Sequence, residues 1–181
     1  PPDAPLDVAN NTTSTQEGET PLGLKTPEYC GQCHTEHYND WRGSMHAYAT
    51  VDPVFQAMLF KGLEETSGAL DQFCIQCHAP VASKYEMTPV FEGEDGVWTA
   101  DFNMSNPMIR HGVSCVSCHA TSNVTSTLNA GFDLDENTYY GPTGGNAAAQ
   151  EAHPMKKGEH LTNSLLCGTC HNVVNPKGAL L

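Results

Sequence analysis

Cys30-Gly-Gln-Cys33-His34, Cys74-Ile-Gln-Cys77-His78, Cys115-Val-Ser-Cys118-His119 and Cys167-Gly-Thr-Cys170-His171 decide how this chain folds, and together they use all eight of its cysteines. Cys-x-x-Cys-His is the attachment signature of c-type haem: two thiols add to the haem vinyls and the following imidazole ligates the iron. One helical turn carries the two sulfurs past the porphyrin edge, and the next residue points its ring at the metal. The competing chemistries are two zinc ribbons, a thioredoxin-like pair with structural cysteines, and disulfides. None of them needs a histidine directly after each pair. With nine histidines in 181 residues, four such coincidences have a chance on the order of one in a hundred thousand. The motifs predict four covalent c-type haems on Cys30, Cys33, Cys74, Cys77, Cys115, Cys118, Cys167 and Cys170, with His34, His78, His119 and His171 as proximal iron ligands.

Working outward, 181 residues with 39% apolar content and a mean hydropathy of −0.39 leave a modest polypeptide core. Each haem has about 45 residues to itself, so porphyrin surface is expected to fill much of the interior. The fold class this implies is a multihaem c-type cytochrome, mostly short α-helices and coil wrapped around a stack of four haems, with little β. Lys and Arg number 8 against 21 Asp and Glu, a formal charge of −13, which argues against nucleic acid or an anionic membrane face as partner. No apolar run approaches the roughly 20 residues of a membrane-spanning helix. The sequence starts at Pro1 without Met or a signal-like region, and reads as a mature product whose targeting segment has been removed.

Four irons need four sixth ligands, and five histidines remain: His37, His46, His111, His153 and His160. Bis-His coordination throughout, with one histidine to spare, is the economical reading, and it favours electron transfer over catalysis. Met45, Met58, Met87, Met104, Met108 and Met155 are the alternative ligands. His37 stands three residues after His34, faces the same side and cannot cross to the opposite face of the first iron, so it serves another haem or none. His46 follows the break at Gly43-Ser44, and His111 precedes Cys115 by four residues. His153 reads as the better ligand and His160 as the spare.

Residues 1–24, rich in Pro, Asp, Asn and Thr, read as an extended arm, and 25–181 as a single tetrahaem domain. Thr26-Pro27-Glu28 predicts a helix running to about Arg42, ended by Gly43. Asp52-Pro53 opens another, with Val54, Phe55, Met58, Leu59 and Leu63 at helical spacing before Gly68. Val90, Phe91, Val97 and Trp98 hint at a hairpin, and residues 121–150 show little periodicity. The motif starts are 44, 41 and 52 residues apart, so the chain is no solenoid.

Tyr38, Trp41, Ser44 and His46-Ala47 after the first motif, Gly112-Val113-Ser114 before the third, Tyr140-Gly141-Pro142, His153, and Leu166-Cys167-Gly168-x-Cys170-His171-Asn172 resemble the tetrahaem cytochrome c family of nitrifying bacteria over residues 27–175. The resemblance implies short helices and coil around haems in parallel and perpendicular pairs, and attachment of haem outside the cytoplasm. More narrowly, the size, the extended leader and Cys33-His34-Thr35-Glu36-His37 are similar to the OmcE-like extracellular cytochrome filament subunits. A related hexahaem filament protein carries C-H-x-x-H, whose second histidine ligates a haem of the next subunit. That likeness implies a homopolymer in which His37 ligates the neighbour's haem, located outside the cell or at its surface, or otherwise in the periplasm. Redox partners or extracellular electron acceptors complete the expectation. The sequence is read as a non-enzymatic electron conduit, the alternatives being a soluble periplasmic shuttle and a multihaem reductase with one open iron.

Overall fold

The computed structural model describes residues 22–175 and 177–180. Short polar side chains cut the chain into short helices: Thr26, Ser44, Asp52, Asn106 and Asn146 each accept a first-turn backbone N–H, which satisfies a donor that has no partner inside the helix. Among the described residues the longest helix is Pro53–Glu65, of 13 residues. It buries Phe55, Leu59 and Leu63 along one face and leaves Val54 and Met58 exposed on the other. The helix expected from Pro27 to Arg42 is split into Pro27–Gly31 and Thr35–Arg42, with His34 in a non-helical conformation (φ −100°, ψ 51°) between them. Gly31 lies under Tyr38, whose ring carbon would be 2.7 Å from any Cβ there, so the turn closes on an aromatic ring where another residue would hold it off.

Among the described residues the strands form three two-stranded ribbons, beside an isolated bridge between Val174 and Leu180. Val90–Glu92 pairs antiparallel with Trp98–Ala100, the expected hairpin. Thr121–Val124 pairs antiparallel with Phe132–Leu134, and Tyr139–Gly141 pairs parallel with Met155–Lys157. The last two fall in or beside the stretch that lacks periodicity. Their strands are three or four residues long, too short for alternation to register. The parallel pair needs a crossover, supplied by the helix Ala147–Ala152.

A polypeptide core does exist. Leu59, Leu63, Ile75, Val81, Ala82, Met108, Ile109, Val116 and Ala120 form one buried cluster around the second and third motifs. Leu24 is fully buried in it, with Leu22 packed alongside, so the last residues of the expected arm belong to the body of the domain. The rest of that arm, residues 1–21, lies outside the described residues. His34, His46, His119 and His171 are exposed, so these four side chains turn away from the polypeptide core. No helix among the described residues is long and apolar enough to cross a membrane.

Candidate haem-binding sites

In the second, third and fourth motifs the histidine ends a short helix: Ile75–His78, Cys115–His119 and Leu165–His171. The first motif straddles the break at His34, yet His34 N still donates to Cys30 O at 2.9 Å, as His78 N does to Cys74 O at 3.2 Å. The turn that brings two sulfurs and an imidazole to one side is thus kept in both. All eight cysteines are unpaired, and among the described residues no three His, Cys, Asp or Glu side chains converge. That donor arrangement is not a tetrahedral thiolate site.

Thiols of different motifs meet in pairs, and the pairs give the spatial order of the motifs. Cys30 and Cys115 share a hydrogen bond that pushes the Cys30 thiol up and pulls Cys115 down. Cys77 and Cys170 do the same, with Cys77 pushed up and Cys170 pulled down. Cys118, pushed up to about 11 by burial first, also feels Cys167 and Cys170. By these thiol contacts the first motif neighbours the third, the third the fourth, and the fourth the second, while the second and third also share the polypeptide core. The motifs of His34 and His78 stand at opposite ends of this series.

The imidazoles follow a second regularity. Two rings facing each other across one metal, each nitrogen about 2 Å from it, have centres about 6 Å apart. His34 and His153 are 6.4 Å apart, and His46 and His171 6.2 Å apart. His34 and His37 are also 6.2 Å apart, but they stand three residues apart on one side of the chain, from which two rings do not reach opposite faces of one iron. The buried His160 feels the charge of His119, which together with burial, the larger cause, lowers its pKa. Two motif histidines are oriented by backbone carbonyls: His78 Nδ1 donates to Ala49 O at 2.8 Å and His119 Nδ1 to Tyr140 O at 2.7 Å. Each bond leaves the Nε2 lone pair for a metal and makes it a stronger donor.

The sequence profile of the cytochrome c552 family matches residues 10–175. The chain belongs to the cytochrome c552 family. A solved structure, a penta-heme cytochrome c552 from Thermochromatium tepidum, superposes with a TM-score of 0.64 at 23% sequence identity, over 89% of this chain and 49% of that one. The likeness is one of fold, and the chain spans about half the length of that protein. As a c552-family chain with this fold it is a multihaem c-type cytochrome, and family and fold together support electron transfer through covalently bound haem iron.

The donor set of this family member fits such a group. Buried nitrogens without a hydrogen bond stand on three of the free histidines: His111 Nε2, which has Glu28 Oε2 only at ion-pair distance, and His153 Nδ1 and His160 Nε2, on the two rings that stand near His34 and His119. Gly158 makes room for one of them: a Cβ there would be 2.8 Å from His160 Cε1. Large apolar side chains stand in the open near two of the exposed histidines in sequence, Met45 beside His46 at 71% exposure and Leu165 at the start of the helix that ends in His171 at 50%, as a large apolar partner requires. His111, four residues before Cys115, sits against side chains of the first two helices. It is buried, its Nε2 lies 3.3 Å from Glu28 Oε2, and its ring stands edge-on to Trp41. Burial holds its pKa below the usual histidine range against the pull of Glu28. Gly112, its neighbour, packs against the His78 carbonyl oxygen, which would lie 3.4 Å from a Cβ there. The aromatic ring on His78 is Phe55, stacked at 3.9 Å and 6°; among the described residues no imidazole joins it. His37 is exposed beside an open hollow lined by Cys33, His34, Thr35 and Glu36.

Sequence reasoning missed the groups that orient the ligands. The carbonyls of Ala49 and Tyr140 carry no signal, because every residue has one. Tyr139 and Glu28 became legible only through their contacts. Tyr140 stood in the family likeness without a role.

Proposed function

We propose that the chain binds four haems and conducts electrons along the order His34, His119, His171, His78, as the subunit of an extracellular filament. Bound iron supplies one-electron chemistry; the protein residues set order, ligation and insulation. His153 is the sixth ligand opposite His34, His46 opposite His171 and His160 opposite His119. The observation that carries the polymer is the chemical complementarity of the two ends. One end exposes His37, three residues from His34 on the same side of the chain, and the other holds His78, whose ring is stacked by Phe55 and, among the described residues, meets no imidazole. Donation of His37 to the His78 iron of the next copy makes a head-to-tail contact, which propagates without closing. The reading requires no catalytic residue and a location outside the cell.

Electron microscopy and an optical spectrum of the native protein test this. Filaments with all irons low-spin are expected, and His37→Ala is expected to give dispersed subunits with one high-spin iron each. If His37→Ala leaves both assembly and spin state unaltered, the polymer is wrong.

The same vacancy opposite His78 favours a second reading, a reductase with one open iron, and the family includes nitrite-reducing enzymes. Dispersed native particles that bind carbon monoxide at one iron and turn over a small nitrogen oxyanion would establish it. Dispersed particles that bind no exogenous ligand point to the soluble periplasmic shuttle.

A further inference from the structure

The strand Tyr139–Gly141 touches one motif histidine, His119, and two of the free ones, His153 and His160. Tyr139 presents its ring edge-on to His153, centres 5.0 Å apart and planes at 62°. Its backbone N–H donates to Pro154 O at 2.9 Å, the residue directly after His153, and its Oη accepts the Lys25 N–H at 3.3 Å. Tyr140 turns the other way. Its carbonyl takes the His119 Nδ1 proton at 2.7 Å, its ring stands 5.9 Å from His160, and its Oη donates to Asp135 Oδ2 at 3.2 Å. Parallel pairing of Tyr139 with Met155 and of Gly141 with Lys157 sets His153 just before the partner strand and His160 just after it. Gly158 N donates to Gly141 O at 2.9 Å, which ties the His160 turn to the same strand.

We infer that Tyr139 and Tyr140 are positioning residues that fix the axial imidazoles of two adjacent irons from one rigid dipeptide. Tyr139 holds the ring that opposes His34. Tyr140 holds both rings of the next pair, His119 through its carbonyl and His160 through its ring. Successive side chains of a strand point to opposite faces, so a dipeptide at the seam between the first and third motifs reaches both, and Cys30 against Cys115 places that seam here. Ligand-ring orientation and the strength of the Nδ1–H bond tune the metal a ligand holds. The relative potentials of the two irons are therefore set by this strand. The inference rests on the ligand pairing proposed above and is independent of the filament.

The test uses the haem-loaded full chain. His153→Ala and His160→Ala first identify, by the low-spin electron paramagnetic resonance signal each removes, which signal belongs to which pair. Tyr139→Leu is then expected to shift the signal and midpoint potential of the His153 iron alone, and Tyr139→Phe to restore them. Tyr140→Leu is expected to shift those of the His160 iron. Asp135→Asn, which weakens the Tyr140 anchor and keeps the ring, is expected to give a smaller shift of the same iron. About a tenfold change in one reduction equilibrium is anticipated, which for one electron is about 59 mV. Variants with full haem content whose signals and potentials are unmoved overturn the inference. So does an equal shift of every iron, which marks general loosening. If the two alanine variants leave the low-spin signals intact, the pairing itself is wrong and the positioning role falls with it.

Discussion

Replacing His153 by alanine tests the ligand geometry most directly. Its ring centre is 6.4 Å from that of His34, within a few tenths of an ångström of the roughly 6 Å that two nitrogens about 2 Å from a shared metal impose. That separation suits a shared iron, and His37, three residues from His34 on the same side of the chain, does not reach the opposite face. His153→Ala therefore leaves one iron five-coordinate. In dispersed subunits, where the His78 iron is already open, the high-spin signal should rise from one spin per chain to two, and His46→Ala should do the same at His171. Adding both substitutions should give three, because the two pairs share no residue. His111→Ala should add none. The assay is spin-counted electron paramagnetic resonance at low temperature, with haem content measured on the same sample. An unchanged count in His153→Ala, or a new high-spin iron in His111→Ala, would refute the assignment.

Three further outcomes are expected. Leu59→Ala, at a position with 0% exposure in the polypeptide core, should lower stability by about 2–5 kcal/mol, whereas Met58→Ala, at 66% exposure, should change it by roughly 0.5 kcal/mol or less; equal effects in chemical denaturation would place the core elsewhere. Gly158→Ala puts a Cβ 2.8 Å from His160 Cε1 and 3.1 Å from Tyr140 Cβ, and should weaken the His160 ligand so that one more iron turns high-spin while haem content holds. His111 has a folded pKa lowered from the ordinary 6.5, chiefly by burial, so below about pH 6.5 the unfolded chain takes up the proton and the folded chain does not. Stability should thus be full above that pH and fall as the pH drops toward the lowered value, and His111→Gln should flatten that slope in melts between pH 7.5 and 5.5.

What the sequence made legible is local chemistry. Cys-x-x-Cys-His needs only one turn of chain, so the motif residues and the helix caps at Thr26 and Asp52 could be read off directly. Haem demand also narrowed the free histidines to five. Which of them opposes which iron is a long-range matter. His46 follows the first motif by twelve residues yet stands by His171 of the fourth, and His160, which its spacing marked as the spare, is buried near His119. His111 sits four residues before a motif cysteine and stands against Glu28 and Trp41, 83 and 70 residues earlier in the chain. No periodicity encodes such contacts. The core of Leu59, Ile75 and Ile109 was likewise underestimated, because the apolar fraction of the whole chain averages over segments that serve haem and segments that pack on themselves.

Charge separates the conduit that polymerises from the one that shuttles. A chain at −13, made more acidic by haem propionates, repels its own copies, and the two ends that would meet carry no compensating run of lysines. Lowering the Debye length from roughly 30 Å at 0.01 M salt to roughly 8 Å at 0.15 M weakens that repulsion without touching a metal–imidazole bond. Self-assembly through His37 should therefore strengthen as salt rises, and His37→Ala should abolish the response. Docking of the same acidic surface on a cationic redox partner has the opposite sign, because screening removes the attraction that steers it. Light scattering against ionic strength reads the first, and electron-transfer rate to a basic acceptor reads the second. A particle size that stays at one subunit across the range, with a rate that falls as salt is added, would assign this cytochrome to diffusive exchange and leave His37 without a partner.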